Sequence, residues 1–242
     1  MRQSNNLAAM ESVDWSRYAA VLFDLDGVIT PTAVVHMAAW SELFNGYLTE
    51  HHPAQAPYTD ADYFAQVDGK PRYDGVRDFL ASRGLSLPEG GSEDPPTALT
   101  VRGLGNRKND AFNRVLDRDG VAPYPGSVVL LDHLRDVGVP LGVVSSSANA
   151  RHVLQAAGLL DRFGTVVDGH VADELGLAGK PAPDTFLHAA AELGVAAGDA
   201  VVLEDAVSGV AAGAAGRFGL VVGVDRGAGP TALSNAGADV VV

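Results

Sequence analysis

Short apolar runs alternate with helical patterns in the first and last parts of the chain. Four runs rich in apolar residues predict buried parallel strands: Ala20–Phe23, Leu141–Ser145, Ala200–Leu203 and Gly219–Val224. A weaker run, Thr165–Val167, is the candidate for an edge strand. Three segments between the runs have an Ala-rich helical pattern: Asn149–Ala157, Asp184–Leu193 and Ser208–Ala215. Strands that alternate with helices are typical of a doubly wound, parallel α/β sheet with right-handed crossovers.

The middle of the chain lacks this alternation. Residues 32–124 contain no convincing buried strand and predict polar helices instead, broken by prolines and by Gly90-Gly91. Within this stretch Pro88–Pro96 predicts a surface loop, and Tyr124-Pro125-Gly126 marks the return to the alternating pattern. We therefore expect an α/β core domain formed by residues 1–31 and 125–242, with residues 32–124 inserted as a helical cap domain.

Composition argues against a membrane protein and against cysteine chemistry. The 242 residues are 47% hydrophobic, yet no uncharged apolar stretch reaches the roughly 18 residues that cross a bilayer. The polar start Met1–Asn6 lacks the apolar core of a signal peptide, so we expect a cytoplasmic protein. The absence of cysteine excludes disulfides, thiolate nucleophiles and cysteine-ligated metal sites.

The formal net charge of −13 argues against a nucleic-acid surface. Binding a phosphate backbone requires clustered lysines and arginines that release counterions. Any ligand that carries phosphate must therefore be small, and a few local cations or a metal must hold it against the field of the whole protein.

Two carboxylates follow the first predicted strand, in the sequence VLFDLDGVIT. Asp24 and Asp26 are two residues apart and should project to the same side, at the edge where open α/β folds bind ligands. Carboxylates this close repel each other, so either one is protonated or a cation lies between them. Taken alone, the motif is more simply explained as an Asp-Gly turn with two solvated acids.

Polar residues also follow the other predicted strands. Ser145–Asn149 leads into a predicted helix, which suits either an anion site or ordinary helix capping. Glu204-Asp205 ends a third strand, and Lys180 stands in a proline-rich turn before a helix. Taken alone, the serine segment fits ordinary helix capping equally well, and Glu204-Asp205 is more simply explained as part of a solvated loop.

Together these residues complement one another chemically. Asp24, Asp26 and Asp205 would form an oxygen-rich pocket for a hard cation such as Mg²⁺. The metal and Lys180 would neutralise a phosphoryl group, and Ser145 would hold its oxygens. Asp24 could then attack phosphorus, while Asp26 serves as general acid and base.

The same residues carry a resemblance to a known family. The chain resembles haloacid-dehalogenase-like phosphotransferases, whose four motifs it matches in order: Asp24-Leu25-Asp26-Gly27-Val28, Ser145, Lys180-Pro181 and Glu204-Asp205. The resemblance spans the core from about Val21 to Val224, and in this family a helical cap is inserted after the first motif. It implies that Ser145, Ser146 and Lys180 hold the transferring phosphoryl group. It also implies that Mg²⁺ is bound by Asp24, Asp205, the main-chain carbonyl of Asp26, and Glu204 directly or through water.

The likeness extends into the predicted cap, where the chain is similar to the β-phosphoglucomutase family. It is carried by the first motif through Thr30, by His36 and Trp40, and by the segments Val67–Arg72 and Asn106–Asn109. The resemblance implies that Arg72 and Asn149 hold the phosphate that does not react. The substrate-binding residues it implies are Thr30, His36, Trp40, Gly69, Arg72, Lys108, Asn109, Ser146, Ser147 and Asn149. Without the resemblance, His36 would be interpreted as a half-buried packing residue.

The chain departs from that family at two positions. Pro31 stands where a carboxylate is usual, and Ala148 stands where a lysine is usual beside Asn149. The candidates to supply the missing positive charge are Arg107, Lys70 and Arg151.

Three functions are consistent with these observations. The first, which we favour, is the conversion of β-glucose 1-phosphate to glucose 6-phosphate through a phosphoaspartate and a bound 1,6-bisphosphate. The second is a Mg²⁺-dependent sugar-phosphate phosphatase with the same core, in which water takes the phosphoryl group. The third is a catalytically silent binding module. We expect a monomer that binds a small sugar phosphate, with no nucleic-acid or membrane partner.

Overall fold

The structure is a computed structural model that describes residues 13–242. Met1–Asn6, on which part of the cytoplasmic expectation rests, lies outside the described residues. The chain folds into two compact units: a sheet unit, formed by the chain up to Pro31 together with Ala122–Val242, and a helical unit, Thr32–Val121. Within residues 13–242, none of the helices combines the length and the apolar character that crossing a bilayer requires.

The sheet unit is built on six parallel strands. They are β1 (Ala20–Phe23), β2 (Leu141–Val144), β3 (Thr165–Val167), β4 (Ala200–Glu204), β5 (Leu220–Gly223) and β6 (Val240–Val241). Their order across the sheet is β3-β2-β1-β4-β5-β6. The predicted doubly wound α/β fold is confirmed, with Thr165–Val167 at one edge of the sheet.

The register of the central strands aligns their carboxyl ends. In β1, Phe23 pairs with Val143 on one side and with Leu203 on the other. All four residues of β1 are fully buried, so a one-residue slip of the strand toward its amino end would draw the charged side chain of Asp24 into the core. The residue after β1, Asp24, therefore lies beside the end of β4, and its N–H donates to the Leu203 carbonyl at 2.9 Å.

Within residues 13–242, six α-helices belong to the sheet unit. The helices of both units are numbered together in chain order, and α1–α4 belong to the helical unit. Those of the sheet unit are α5 (Pro125–Asp136), α6 (Ala150–Ala156), α7 (Gly169–Leu175), α8 (Asp184–Glu192), α9 (Val207–Ala215) and α10 (Pro230–Ala236). The three helices predicted from the sequence correspond to α6, α8 and α9. Phe186 of α8 is fully buried and shares one core with Leu22 and Val202 of the sheet.

The helical unit has its own aromatic core. Its helices are α1 (Thr32–His51), α2 (Asp60–Asp62), α3 (Arg72–Ser82) and α4 (Val101–Asp119), and a π-helical turn, Tyr63–Val67, follows α2. Phe44 of α1 and Phe79 of α3 are fully buried, with ring centroids 4.0 Å apart. Trp40 stacks on Phe44 at 5.2 Å. This buried aromatic cluster allows the unit to be compact without a sheet.

The chain re-enters the sheet unit slightly before the predicted position. The helical unit ends at Val121, three residues before Tyr124. The N–H of Tyr124 donates to the Ile29 carbonyl at 2.9 Å, and the Ser127 hydroxyl donates to the Val28 carbonyl at 2.6 Å. These bonds tie the returning segment to the turn that follows β1.

Phe79→Ala should selectively destabilise the helical unit. The substitution removes a fully buried ring, which costs about 3–5 kcal/mol. Phe64→Ala is a matched control, because Phe64 is 43% exposed, and it should cost about 1 kcal/mol or less. Hydrogen exchange of peptides from Thr32–Val121 measures both losses. Equal losses in the two variants would contradict the placement of this core.

Candidate active site

One buried lysine joins two carboxylates at the carboxyl edge of the sheet. The Lys180 Nζ lies 2.5 Å from Asp24 Oδ1 and 2.6 Å from Glu204 Oε1, and it donates to the Val144 carbonyl at 3.0 Å. The side chains of Lys180 and Glu204 are 1% and 0% exposed. Since ions this deeply buried need close partners, the three groups form one charged cluster.

The cluster contains more negative than positive charge. Burial raises the pKa of Asp24 well above its ordinary value; Lys180 opposes the shift, and the charges of Glu204 and Asp26 add to it. Burial acts to lower the pKa of Lys180, but Asp24 and Glu204 outweigh it and hold that pKa above its ordinary value. Lys180 is therefore charged. One ammonium cannot neutralise all of these carboxylates, so a second cation would allow them all to ionise.

Carboxylate oxygens of Asp24, Glu204 and Asp205 lie within 4.8 Å of one another. Glu204 is held by the Ala206 N–H, which donates to its Oε2 at 3.0 Å. A Cβ on Gly209 would lie 1.7 Å from Glu204 Oε1, so only glycine leaves room for this carboxylate. Three oxygen donors with surplus negative charge fit Mg²⁺, which prefers hard oxygen ligands.

The turn that carries Asp26 is closed by main-chain bonds. The Gly27 N–H donates to the Thr30 carbonyl at 2.8 Å, and Asp26 forms a bridge with Thr30. Gly27 has a φ of +86°, which favours glycine, and a Cβ there would lie 1.8 Å from Asp205 Oδ2. The turn thus brings half-buried Asp26 and buried Thr30 close to the carboxylate cluster.

Arg226 is a residue at this edge that the sequence analysis missed. Its Nε donates to the Gly27 carbonyl at 2.8 Å, and its guanidinium carbon lies 4.0 Å from the centre of the Tyr124 ring. It therefore links the turn after β1 to the segment that returns from the helical unit. The sequence signal that could have identified Arg226 is its position just after the strand predicted at Gly219–Val224, where side chains lie at the ligand-binding edge of the sheet.

The serine turn after β2 is closed by hydrogen bonds from main-chain N–H groups to serine hydroxyls. The Ser147 N–H donates to the Ser145 hydroxyl at 3.1 Å, and the Asn149 N–H donates to the Ser147 hydroxyl at 3.2 Å. These bonds stay within the turn, and Asn149, the N-cap of α6, makes no side-chain capping bond. Capping by a side chain is therefore not observed here, and anion binding stays a prediction. Each hydroxyl still has its own O–H to donate to a ligand. Ser145 is buried, while Ser146, Ser147 and Asn149 are half-buried.

In the helical unit, the structure brings three predicted residues together. The Lys108 Nζ is hydrogen-bonded to His36 Nδ1 and lies 5.2 Å from the Trp40 ring. His36 also stacks on Phe112 with ring centroids 4.0 Å apart. A charged lysine can only donate, so Nδ1 of His36 is the acceptor when Lys108 is charged.

Three further predicted substrate-binding residues of the helical unit lie on α3, on α4 and in the turn before α3. Arg72 begins α3, and Gly69 stands in the preceding turn with a φ of +69°. Asn109 follows Lys108 on α4 and is half-buried.

The three cations considered as replacements for a lysine at position 148 have partners within their own unit. Lys70 pairs with Asp78 at 2.6 Å. Arg107 Nε donates to the Pro96 carbonyl at 2.7 Å, and Arg151 Nη2 donates to the Val166 carbonyl at 3.1 Å. Each of these side chains therefore has a structural role in its own unit.

A family model described as haloacid dehalogenase-like hydrolase matches residues 18–217. The chain belongs to this haloacid dehalogenase-like family. β-Phosphoglucomutase from Mycobacterium bovis is 50% identical over 232 residues, covering 92% of this chain and 88% of that protein. β-Phosphoglucomutase from Bacillus subtilis is 34% identical over 227 residues, with 92% and 88% covered.

A solved structure agrees with these relatives. The crystal structure of β-phosphoglucomutase from Clostridium difficile superposes with a TM-score of 0.74 and 26% identity, covering 93% of this chain and 90% of that one. The resemblance of this haloacid dehalogenase-like chain to β-phosphoglucomutases, first seen in its motifs, is confirmed.

Lys180→Ala should lower the free energy of unfolding by about 3–5 kcal/mol, because it leaves buried Asp24 and Glu204 without their ammonium. Lys70→Ala is the control: it breaks the more exposed pair with Asp78 and should cost about 1 kcal/mol or less. Urea unfolding at neutral pH without added metal measures both values. Similar losses for the two lysines would show that the buried cluster does not depend on Lys180.

Proposed function

We propose that this protein is a β-phosphoglucomutase, which converts β-glucose 1-phosphate to glucose 6-phosphate through a phosphoaspartate and a bound 1,6-bisphosphate. The observation that carries the proposal is the charged cluster at the sheet edge, where Asp24 lies 2.5 Å from Lys180 and within 4.8 Å of oxygens of Glu204 and Asp205. A carboxylate surrounded by cation sites is suited to attack a phosphoryl group. Identity of 50% with a β-phosphoglucomutase supports the choice of substrate.

Asp24 and Asp26 divide the chemistry between them. Asp24 acts as the nucleophile, since its carboxylate is buried beside Lys180 and can meet phosphorus with little water around it. Half-buried Asp26, two residues on, donates a proton to the leaving oxygen and accepts one from the incoming hydroxyl. Lys180, Ser145 and Ser146 hold the oxygens of the transferring group.

The metal is assigned to the acidic cluster. Asp24, Glu204 and Asp205 would hold Mg²⁺ through carboxylate oxygens, with the Asp26 carbonyl added from the family resemblance. When bound, Mg²⁺ neutralises charge that develops on the phosphoryl oxygens. Lys180 lies at fixed hydrogen-bond distances from Asp24 and Glu204 and so keeps both carboxylates oriented.

A mutase must also bind the phosphate that does not react, because its intermediate carries two. We assign that phosphate to Arg72 and Asn149, and contacts to the sugar to the Lys108–His36 pair with its neighbour Trp40. The pair is rigid, since Lys108 and His36 are only 4% and 8% exposed. The remaining proposed substrate-binding residues are Thr30, Gly69, Asn109, Ser146 and Ser147.

The cellular setting follows from the same proposal. We infer a cytoplasmic monomer whose partner is a small sugar phosphate. The net charge of −13 supports the absence of a nucleic-acid partner, since a phosphate backbone would be repelled.

A sugar-phosphate phosphatase is the second candidate, favoured by the family description as hydrolases. The same nucleophile and metal site serve both reactions. They differ in whether a sugar hydroxyl or water receives the phosphoryl group from Asp24.

One assay separates the two candidates. The protein is incubated with Mg²⁺, β-glucose 1-phosphate and a trace of glucose 1,6-bisphosphate, and glucose 6-phosphate and free phosphate are followed in the same tube. We expect glucose 6-phosphate without matching phosphate release. Phosphate release alone would identify a phosphatase, and silence in both products would contradict the mutase and require the phosphatase assay to be repeated with other sugar phosphates.

Asp24→Asn should abolish turnover and the phosphoenzyme, because an amide is not a competent nucleophile. Loss of activity should exceed about 10⁴-fold, the scale seen when a nucleophile is removed. Asp136→Asn is a control on the exposed pair with Arg135 and should leave activity unchanged. Phosphoenzyme is measured by intact mass after incubation with acetyl phosphate; its persistence in Asp24→Asn would refute the assignment of the nucleophile.

A further inference from the structure

The loop between α3 and α4 is held by side chains of both helices. Residues 84–100 contain no helix or strand, and the part Pro88–Thr100 is called the 88–100 loop below. Its Glu89 accepts two hydrogen bonds from Arg77 of α3, at 3.0 and 2.9 Å. Its Pro96 carbonyl accepts from Arg107 of α4 at 2.7 Å. The loop is therefore attached to both helices, although its Pro and Gly content predicts only a surface loop.

Asn106 of α4 makes the central attachment. Its Nδ2 donates to the loop carbonyls of Ser92 and Asp94, at 3.2 and 2.9 Å. Its Oδ1 accepts from the Tyr73 hydroxyl at 2.8 Å. Both ends of the amide are thus used, and flipping it would place like groups against each other. Through Asn106, the loop therefore fixes the position of the Tyr73 hydroxyl.

The Tyr73 ring in turn lies beside Arg72. The guanidinium carbons of Arg102 and Arg72 lie 4.1 and 5.4 Å from the centre of the Tyr73 ring. A Cβ on Gly105 would lie 2.6 Å from Tyr73 Cε1 and 3.2 Å from Arg72 Cδ. The missing side chain at Gly105 therefore lets both the ring and the arginine stem lie directly against α4.

Charge within the loop supports this arrangement. Arg102 and Arg72 are both near one ring, and two cations so close would repel each other. Glu89 of the loop lies 3.4 Å from Arg102 Nε and so offsets that repulsion. The loop thus contributes both a hydrogen-bond anchor and a compensating charge beside Arg72.

We propose that Tyr73, anchored through Asn106 to the 88–100 loop and seated on Gly105, is a positioning residue that orients Arg72 for the phosphate that does not react. This inference rests on the proposed function, because it takes Arg72 as the ligand of that phosphate. It goes further by making the loop a determinant of affinity for the bisphosphate, separate from the reacting site at Asp24.

A double-mutant cycle tests the inference in the inactive Asp24→Asn background, with glucose 1,6-bisphosphate as the titrated ligand and Mg²⁺ present. Tyr73→Phe keeps the ring and removes the bond to Asn106. We expect its Kd to rise roughly 3- to 10-fold, the effect of one hydrogen bond. Gly105→Ala, which displaces the ring and the arginine stem, should weaken binding at least as much. In a background that also carries Arg72→Ala, neither change should weaken binding further.

Two controls separate positioning from general damage. Tyr58→Phe is the matched substitution in the same unit, where the hydroxyl has no hydrogen-bond partner among the described residues; it should leave the Kd unchanged. In the otherwise native enzyme, Tyr73→Phe should leave phosphorylation of Asp24 by acetyl phosphate unchanged, since that donor carries no second phosphate. Circular dichroism shows whether each variant is folded. If Gly105→Ala is not folded, the result for Tyr73→Phe alone tests the inference.

The possible outcomes are distinct. If Arg72→Ala weakens bisphosphate binding but Tyr73→Phe leaves the Kd unchanged, or weakens it equally with and without Arg72, the positioning role is wrong and the proposed function stands. If Arg72→Ala itself leaves the Kd unchanged, the distal phosphate site of the proposed function is wrong and the inference is rejected with it. Non-additive loss confined to the bisphosphate supports the inference.

Discussion

The site depends on one buried ammonium that allows acidic side chains to meet inside the protein. Lys180 is 1% exposed, and its Nζ contacts Asp24, Glu204 and the Val144 carbonyl within 3.0 Å. Without it, two carboxylates at the end of adjacent strands would repel each other in a medium that screens charge weakly. With it, the carboxylates are oriented and still carry surplus negative charge, which suits a divalent cation and then a phosphoryl group.

Under the proposed function, the two units carry different parts of the chemistry. The sheet unit places its charges on strand ends, so their spacing follows from the pairing of Phe23 with Leu203 rather than from a flexible loop. The helical unit has a separate aromatic core around Phe44 and Phe79, and it supports the buried Lys108–His36 pair. Because each unit has its own core, residues for the reacting group and residues for the rest of the substrate can be held rigidly on different scaffolds.

The fold and the acidic edge could be predicted because each has a local signal. Buried parallel strands are continuous apolar runs, and a carboxylate directly after such a run lies at the ligand-binding edge. Arg226 was missed because its contact with Gly27 joins residues that are distant in sequence and leaves no periodic pattern. Pro88–Pro96 was predicted only as a surface loop, since proline and glycine content does not show that Asn106 donates to carbonyls of this segment. The bonds from the Ser147 and Asn149 N–H groups to the Ser145 and Ser147 hydroxyls close the turn before α6, and the residue types alone do not reveal that arrangement.

The most direct test of the account is the fate of the phosphoryl group on Asp24. The protein would be labelled with acetyl [³²P]phosphate in the presence of Mg²⁺ and then chased with β-glucose 1-phosphate. The account predicts that label leaves the protein and appears in glucose 1,6-bisphosphate and glucose 6-phosphate. Label that appears only as inorganic phosphate, at the same rate with and without the sugar, would contradict the assignment as a mutase.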